Sequence, residues 1–312
     1  MASTAITSIN ALTSTLQQVT NFGTNPGSAA MYIYVPTKLT SNPPIVVAVH
    51  YCSGSARAYF SGTQYASLAD KHGFIVVYPS STRSGSCWDV ASKASLTHNG
   101  GSDSLAIVNM AKYAQTRYSG GKIYVTGSSS GAMMTNVLAG AYPDVFTAAA
   151  LFSGVPDGCF ADPSGTTPAA GATPYWNGNC SGGKVIKSAA DWAALVKSYY
   201  PGYSGARPKM QIWHGSADTV LHYNNYAETI KQWTGVFGLS QTPTSTQTNT
   251  PQSGYTKYSY GSNVVGYYAA GVGHGVPEHA QDVIDFFGND YNGQNHKYYD
   301  GEDHKYCRRL WW

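Results

Sequence analysis

Apolar and polar positions follow two different patterns along this chain. Continuous apolar runs, such as residues 44–50, are typical of strands that are covered on both faces of a sheet. Residues 31–36 instead alternate between apolar and polar side chains, as a half-buried strand does. The predicted strands cover residues 31–36, 44–50, 73–79, 122–126, 146–152, 209–213 and 264–270.

Between these strands, apolar residues three or four positions apart predict helices. Within residues 102–118, apolar side chains at 107, 110, 111 and 114 form one helix face. Ser188 and Asp191 have the spacing of a capping box, which begins another helix. The predicted helices cover residues 63–72, 102–118, 188–199 and 223–233, and a further helix follows Ser129. Strands alternating with helices predict an α/β fold with a mostly parallel sheet and helices on both faces.

Composition narrows the class of protein. The chain has 312 residues, of which 42% are hydrophobic and 11% charged, with a formal net charge of +3. Apolar content is sufficient for one large domain, which we place at residues 1–288. Neither the charge nor any apolar run indicates a nucleic acid or membrane partner. Residues 157–183 and 239–256 are predicted loops. Residues 289–312 form a tail without an apolar period, and we interpret it either as a segment of unknown role or as an expression artefact.

The cysteines indicate an oxidising environment. Four of the five lie in predicted loops and lack zinc-type spacing, so we predict no metal site. We predict instead two disulfides, formed by Cys52, Cys87, Cys159 and Cys180. We therefore expect a secreted, extracellular protein. Residues 1–20 lack the basic start and apolar stretch of a signal peptide, and we expect that Met1-Ala2 stands in its place.

One short segment carries the strongest chemical signal. Gly127-Ser128-Ser129-Ser130-Gly131 lies between a predicted strand and a predicted helix, which is the context of the nucleophile elbow in an α/β-hydrolase. The serine in such a turn projects from the sheet edge beside the positive end of the helix. Gly-x-Ser-x-Gly also arises by chance in a chain rich in glycine and serine. A catalytic Ser129 therefore requires an acid and a histidine, in that order, after later strands.

Two residues meet that requirement. Asp218 lies in the turn after the strand at 209–213, where it would orient a histidine. On local sequence alone an Asx-turn that caps the next helix is an equally good interpretation, but position along the chain favours catalysis. His274 lies between glycines after the last predicted strand, and we assign it as the base that takes the proton from Ser129.

The other histidines have simpler interpretations. His50 ends a strand and is predicted to orient the next loop, whereas His72 lies at a helix C-terminus. His98 is a candidate for lining the cleft, and His214 is expected to support the turn that carries the acid.

The oxyanion of the reaction needs two backbone donors. The first is the N–H of Ser130, next to the nucleophile. The second should come from the loop after residues 44–50, where we choose Cys52, with Tyr51 as the alternative. If Cys52 pairs with Cys87, the disulfide holds this loop in place, and Cys159 then pairs with Cys180.

Several longer blocks resemble the fungal acetylxylan esterases of carbohydrate esterase family one. The blocks are 50–54 (HYCSG), 87–89 (CWD), 97–101 (THNGG), 127–136 (GSSSGAMMTN) and 271–274 (GVGH). The resemblance runs from about Leu16 to Gly288. It implies a secreted, metal-independent serine esterase without a cofactor that removes acetyl groups from xylan. Relatives of that family cleave feruloyl esters or polyhydroxybutyrate.

The resemblance also implies a substrate preference. Those relatives more often have glycine where this chain has Tyr51, and a tyrosine there would crowd the acyl group and favour a small one. Candidate substrate-binding residues are Tyr51, Trp88, His98 and Trp176. The expected partner is acetylated xylan or a related plant cell-wall polysaccharide, bound by a monomer. A feruloyl esterase of the same mechanism is the alternative function, and a non-catalytic carbohydrate-binding protein is the third.

Overall fold

The computed structural model describes residues 12–288, and its strands form one sheet. The strands are β1 (Leu16–Val19), β2 (Ala30–Tyr34), β3 (Ile45–Val49), β4 (Ile75–Ser80), β5 (Ile123–Ser128), β6 (Phe146–Phe152), β7 (Lys209–Gly215), β8 (Ser245–Thr248), β9 (Tyr255–Tyr260) and β10 (Val264–Ala269). Their order across the sheet is β1-β2-β4-β3-β5-β6-β7-β10-β9-β8. Strands β4, β3, β5, β6, β7 and β10 pair in parallel, and the outer strands at both edges are antiparallel.

Helices cover both faces of this sheet. They are α1 (Ala56–Gly62), α2 (Tyr65–His72), α3 (Lys93–Leu96), α4 (Ser102–Arg117), α5 (Ser130–Ala141), α6 (Gly178–Ser181), α7 (Ala189–Ser198), α8 (Asn224–Phe237) and α9 (Ala280–Phe287). All five residues of β3 are buried, and they alternate between the two cores. Ile45 and Val47 belong to the core that also contains residues of α4, α5, α7 and α8, whereas Val46 and Ala48 belong to the core that contains residues of α1, α2 and α9. The predicted α/β-hydrolase fold, with a mostly parallel sheet, is confirmed.

The edge strands and four helices differ from the sequence prediction, since β1, α1 and α3 also lie where the sequence predicts no strand or helix. Residues 239–256 are not simply a loop, because they contain β8 and the first residues of β9. All four residues of β8 are exposed, so no apolar pattern marks it. The predicted loop 157–183 contains the single-turn helix α6. Helix α9, after the last predicted strand, is not among the predicted helices, although Ala280, Val283, Ile284 and Phe287 give it an apolar period.

The parallel strands bring distant residues to one edge of the sheet. Because β3, β5, β7 and β10 run in the same direction, the loops after their carboxyl ends meet there. These loops begin at His50, Ser129, Ser216 and Ala270. Within residues 12–288, no helix is both long enough and apolar enough to cross a membrane.

Asp157 is a buried carboxyl group outside that edge, and we expect it to make stability depend on pH. It is 1% exposed, and neither of its carboxyl oxygens has a hydrogen-bond partner within residues 12–288. Burial raises the pKa of Asp157 well above its usual value. The folded protein therefore favours the neutral form, and stability is lost as pH rises from the unfolded pKa through the folded one.

Asp157→Asn should remove this loss. We expect the variant to gain stability relative to the wild type as pH rises, by about 1.4 kcal/mol for each pH unit over which only the unfolded wild type ionises. Thermal unfolding at pH 4.5 and pH 8 measures the difference. Asp285→Asn, which changes an exposed carboxylate, is the control. An equal effect of Asp157→Asn at both pH values would contradict the prediction.

Candidate active site

Ser129 occupies a sharp turn between β5 and α5. Its φ of 53° and ψ of −119° lie in a region that L-residues rarely adopt. The flanking glycines are required by close approach, because a Cβ on Gly131 would overlap the carbonyl oxygen of Val49. A Cβ on Gly127 would in turn meet the backbone of Gly131. The Gly-x-Ser-x-Gly pattern therefore has a steric cause here, and the turn projects the Ser129 hydroxyl beyond the sheet.

Ser129, His274 and Asp218 form one hydrogen-bonded chain. Ser129 Oγ lies 2.8 Å from Nε2 of His274, and Nδ1 of His274 lies 2.8 Å from Oδ2 of Asp218. Since an ionised carboxylate only accepts, Nδ1 bears the ring proton and Nε2 is free to accept from the serine hydroxyl. The side chain of His274 is 23% exposed and that of Asp218 is fully buried. This is the geometry of a base that activates a hydroxyl nucleophile.

Asp218 has both of the roles that its local sequence allows, since it forms an Asx-type turn and also orients a histidine. Its Oδ1 accepts from the backbone N–H groups of Val220 and Leu221, which is an Asx-type turn. Its Oδ2 accepts from Nδ1 of His274 at 2.8 Å, and it shares the Nε2–H of His214, 3.1 Å away, with the carbonyl oxygen of Leu221. Burial favours a higher pKa, but the hydrogen bonds from both histidines outweigh it and hold the pKa of Asp218 below its usual value. The group is therefore ionised when His274 takes up a proton.

The loops that carry the acid and the base are joined directly. The N–H of Ala217 donates to the carbonyl of Val272, and the N–H of Gly271 donates to Oγ of Ser216, at 2.9 and 2.8 Å. His214, which was expected to support this turn, also contacts the carbonyl oxygen of Leu221 at 2.9 Å. The separation of Asp218 and His274 is thus fixed by backbone contacts on both sides.

The loop after β3 is held against residues 85–88. A disulfide joins Cys52 to Cys87, and the N–H of Ser53 donates to the carbonyl of Gly85 at 2.7 Å. His50 accepts from the N–H of Ser81 at Nε2, so its Nδ1–H donates to the carbonyl of Tyr51. Burial lowers the pKa of His50 to about 4, so the ring stays neutral in this role.

These contacts leave the predicted oxyanion donors available. The N–H groups of Ser53 and Gly54 are used within the protein, whereas within residues 12–288 no protein acceptor is found for those of Cys52 and Tyr51. Ser130 begins α5, where backbone N–H groups are free. Its side chain is fixed, because Oγ of Ser130 accepts from the N–H of Trp88 at 2.9 Å. Cys52 and Ser130 therefore stay our assignment for the oxyanion hole.

A cavity of about 710 Å³ opens on Ser129 and His274. Three of the predicted substrate-binding residues line it, namely Tyr51, Trp88 and Trp176. Tyr51 and Trp176 are 40% and 51% exposed, whereas Trp88 is 1% exposed and donates its indole N–H to the carbonyl of His50. Trp88 thus offers little surface to a ligand, and it supports the loop after β3. The second disulfide, Cys159–Cys180, closes the segment that carries Trp176.

The prediction for His98 is wrong. Its Nδ1 contacts the carbonyl of Ala141 at 2.8 Å, and its ring stacks on Tyr200 at 3.6 Å. Ala141 ends α5, whereas Ser129 precedes its first residue. A helix of that length separates the two by about 18 Å, since each residue rises about 1.5 Å. His98 therefore belongs to an aromatic stack at the far end of α5.

Sequence reasoning missed several residues of the cavity. Met133, Phe160, Tyr59 and Glu278 line it, and none of them has a local pattern that marks a site. Met133 alone lies in a predicted element, the helix that follows Ser129. Across residues 12–288, no group of three histidine, cysteine, aspartate or glutamate side chains is placed to hold a metal ion.

Comparisons with known proteins agree with this geometry. Residues 28–248 match the family model described as esterase PHB depolymerase. The probable acetylxylan esterase A of Aspergillus fumigatus is 53% identical over 276 residues, covering 88% of this chain and 73% of that protein. The acetylxylan esterase A of Talaromyces purpureogenus is also 53% identical, over 88% of this chain and 71% of its own length.

Solved structures give the same picture of the fold. The acetyl xylan esterase from Aspergillus awamori superposes with a TM-score of 0.84 at 49% identity, covering 89% of this chain and 100% of that one. A feruloyl esterase module from Clostridium thermocellum has a TM-score of 0.52 at 16% identity, over 93% of this chain and 94% of that module. The second likeness extends to the fold alone.

Proposed function

The chain belongs to the esterase PHB depolymerase family, and from this membership and the geometry at Ser129 we propose that it removes O-acetyl groups from xylan as a serine esterase. The observation that supports this proposal most directly is the Ser129–His274–Asp218 chain, with both contacts at 2.8 Å, in a protein half identical to acetylxylan esterases.

The reaction proceeds through an acyl-enzyme. Ser129 Oγ attacks the acetyl carbonyl carbon while its proton passes to Nε2 of His274. The carbonyl oxygen becomes an oxyanion, which accepts from the backbone N–H groups of Ser130 and Cys52. Asp218 stabilises the imidazolium and keeps its orientation. When the C–O bond to the sugar breaks, His274 returns the proton to the leaving sugar oxygen.

Water then reverses these steps. His274 accepts a proton from a water molecule, whose oxygen attacks the acetyl-serine carbonyl. Collapse of the second oxyanion releases acetate and restores the Ser129 hydroxyl with the proton from His274. Each half of the reaction uses the same base and the same two donors, so no further acid is needed.

Tyr51 supports a small acyl group. It lies beside Cys52 at the mouth of the cavity and packs edge-on against Tyr59, with ring centroids 6.3 Å apart. This contact limits how far the ring can turn away from an acyl chain bound near the oxyanion donors. A feruloyl group, with its aromatic ring, would have to displace Tyr51.

Comparing two ester classes tests the substrate. We expect acetate release from acetylated xylan, and hydrolysis of methyl ferulate at no more than about 1% of the kcat/KM for a small acetyl ester. Both reactions are measured under identical conditions, by acetate assay and by chromatography of ferulate. Faster cleavage of methyl ferulate would favour the feruloyl esterase alternative. Hydrolysis of neither, together with binding to xylan, would favour a carbohydrate-binding protein.

The cellular setting follows from the same proposal. The two disulfide bonds, Cys52–Cys87 and Cys159–Cys180, suit an extracellular enzyme, because thiols are not kept reduced outside the cell. A polysaccharide substrate is also found outside the cell. We propose a secreted enzyme that works as a monomer, because the loops of one chain supply every group of the mechanism.

A further inference from the structure

Glu278 is an acidic side chain in the cavity that the mechanism above does not use. It follows His274 by four residues, and it lines the same cavity as Ser129 and His274. Its Oε2 accepts from the hydroxyl of Tyr65 at 2.8 Å, and its Oε1 accepts from the hydroxyl of Tyr59 at 2.5 Å. Helices α1 and α2 therefore fix the carboxylate at the cavity wall.

The cavity lining contains two chemically different groups of residues. One is apolar and includes Val90, Met133, Phe160, Trp176 and Leu221. The other is polar, and it includes Thr63 and Glu278. An acetyl ester of a sugar has the same two parts, since its methyl group is apolar and its alcohol part carries hydroxyl groups.

The mechanism indicates which part of the ester lies beside Glu278. His274 must return its proton to the leaving oxygen, so the sugar lies on the side of the cavity that His274 occupies. The chain continues from His274 through Gly275 and Val276 to Glu278, and all of these residues line the cavity. The carboxylate therefore meets the leaving sugar rather than the acyl group.

We propose that Glu278 determines specificity by accepting a hydrogen bond from a free hydroxyl group of the leaving sugar. This assignment rests on the proposed function. A carboxylate has about four acceptor positions, and the two tyrosines use two of them. Hydrogen bonds to an ionised acceptor are about twice as strong as neutral ones, which suits a group that selects hydroxylated alcohols.

The charge of Glu278 changes near neutral pH. Burial raises its pKa to about 7, and the hydrogen bonds from Tyr59 and Tyr65 limit that rise. Burial also raises the pKa of each tyrosine well above its usual value, as it does for Tyr78 behind them, so all three stay neutral. Preference for a hydroxylated alcohol should therefore increase as pH rises through about 7.

Three acetyl esters separate recognition of the sugar from catalysis. Methyl xyloside monoacetate has free hydroxyl groups, methyl xyloside triacetate has none, and 4-nitrophenyl acetate has no sugar. We expect Glu278→Gln to lower kcat/KM on the monoacetate by about tenfold to a hundredfold, as for loss of a hydrogen bond to a charged group. On the other two esters the change should be less than about threefold. Asp285→Asn, on the outer side of α9, is the control.

The wild-type protein provides a second test that needs no variant. The ratio of kcat/KM for monoacetate to kcat/KM for triacetate should increase between pH 6 and pH 8. Burial lowers the pKa of the neighbouring His279. Its protonation, like any pH effect on the catalytic steps that the two substrates share, acts on both and cancels in this ratio. A ratio independent of pH, or an equal loss on all three esters in Glu278→Gln, would overturn the assignment. If the wild type hydrolyses 4-nitrophenyl acetate but neither xyloside, the proposed function fails as well.

Discussion

Ser129→Ala is expected to lower kcat/KM on acetylated xylan by at least about 10⁴-fold while the protein stays folded. Removal of Oγ leaves no atom to form the acetyl-enzyme, and the oxyanion donors alone can only assist attack by water. Among residues 12–288 the hydroxyl has one hydrogen-bond partner, Nε2 of His274, so little packing is lost. Acetate release gives the rate, and thermal unfolding gives the stability.

Ser153→Ala is the matched control for this change. Ser153 follows the neighbouring strand β6 and also has a positive φ, of 55°, but it is not part of the cavity lining. Ser153→Ala should retain activity. A serine-directed phosphonate should label Ser153→Ala and the wild type but not Ser129→Ala.

Ser129→Gly should be as inactive as Ser129→Ala. It should be about 1 kcal/mol more stable than Ser129→Ala, because glycine adopts a φ of 53° without strain. Acetate release by both Ser129 variants at the wild-type rate would refute the assignment.

The central strands could be predicted from the sequence because burial leaves a continuous apolar signature. Strand β6 has the predicted bounds, Phe146–Phe152, and six of its seven residues are buried. The outer strand β8 has no such signature, since one polar, exposed edge strand resembles any surface loop. The parallel strands that position the site are therefore easier to predict from the sequence than the antiparallel edge strands.

Site residues divide in a similar way. Ser129, Asp218 and His274 could be predicted, because each lies in the loop after a recognisable strand and their order is diagnostic of the fold. Glu278 could not, because its partners Tyr59 and Tyr65 are 219 and 213 residues away. The position of His98 beside Ala141 could not be predicted for a related reason, because the sequence of a loop does not indicate which end of a helix it approaches.

Asp218→Asn is the second large effect that we expect, with kcat lowered by about 10⁴-fold. If the amide oxygen stays with the N–H groups of Val220 and Leu221, the amide nitrogen faces the ring nitrogens of His214 and His274. Nδ1 of His274 must then lose its proton in order to accept one. Nε2 becomes protonated, so it can no longer take the proton of Ser129.

The opposite orientation of the amide is also unfavourable. Its nitrogen, which only donates, then faces the backbone N–H groups of Val220 and Leu221, which also only donate. The fold should persist, since the loop retains the Ala217–Val272 and Gly271–Ser216 hydrogen bonds. Asp157→Asn makes the same chemical change outside the cavity and should retain full activity, which separates loss of the acid from any general effect of the substitution. Activity of Asp218→Asn above about a tenth of wild type would mean that Asp218 only caps its turn, because a histidine oriented by other groups would then suffice for catalysis.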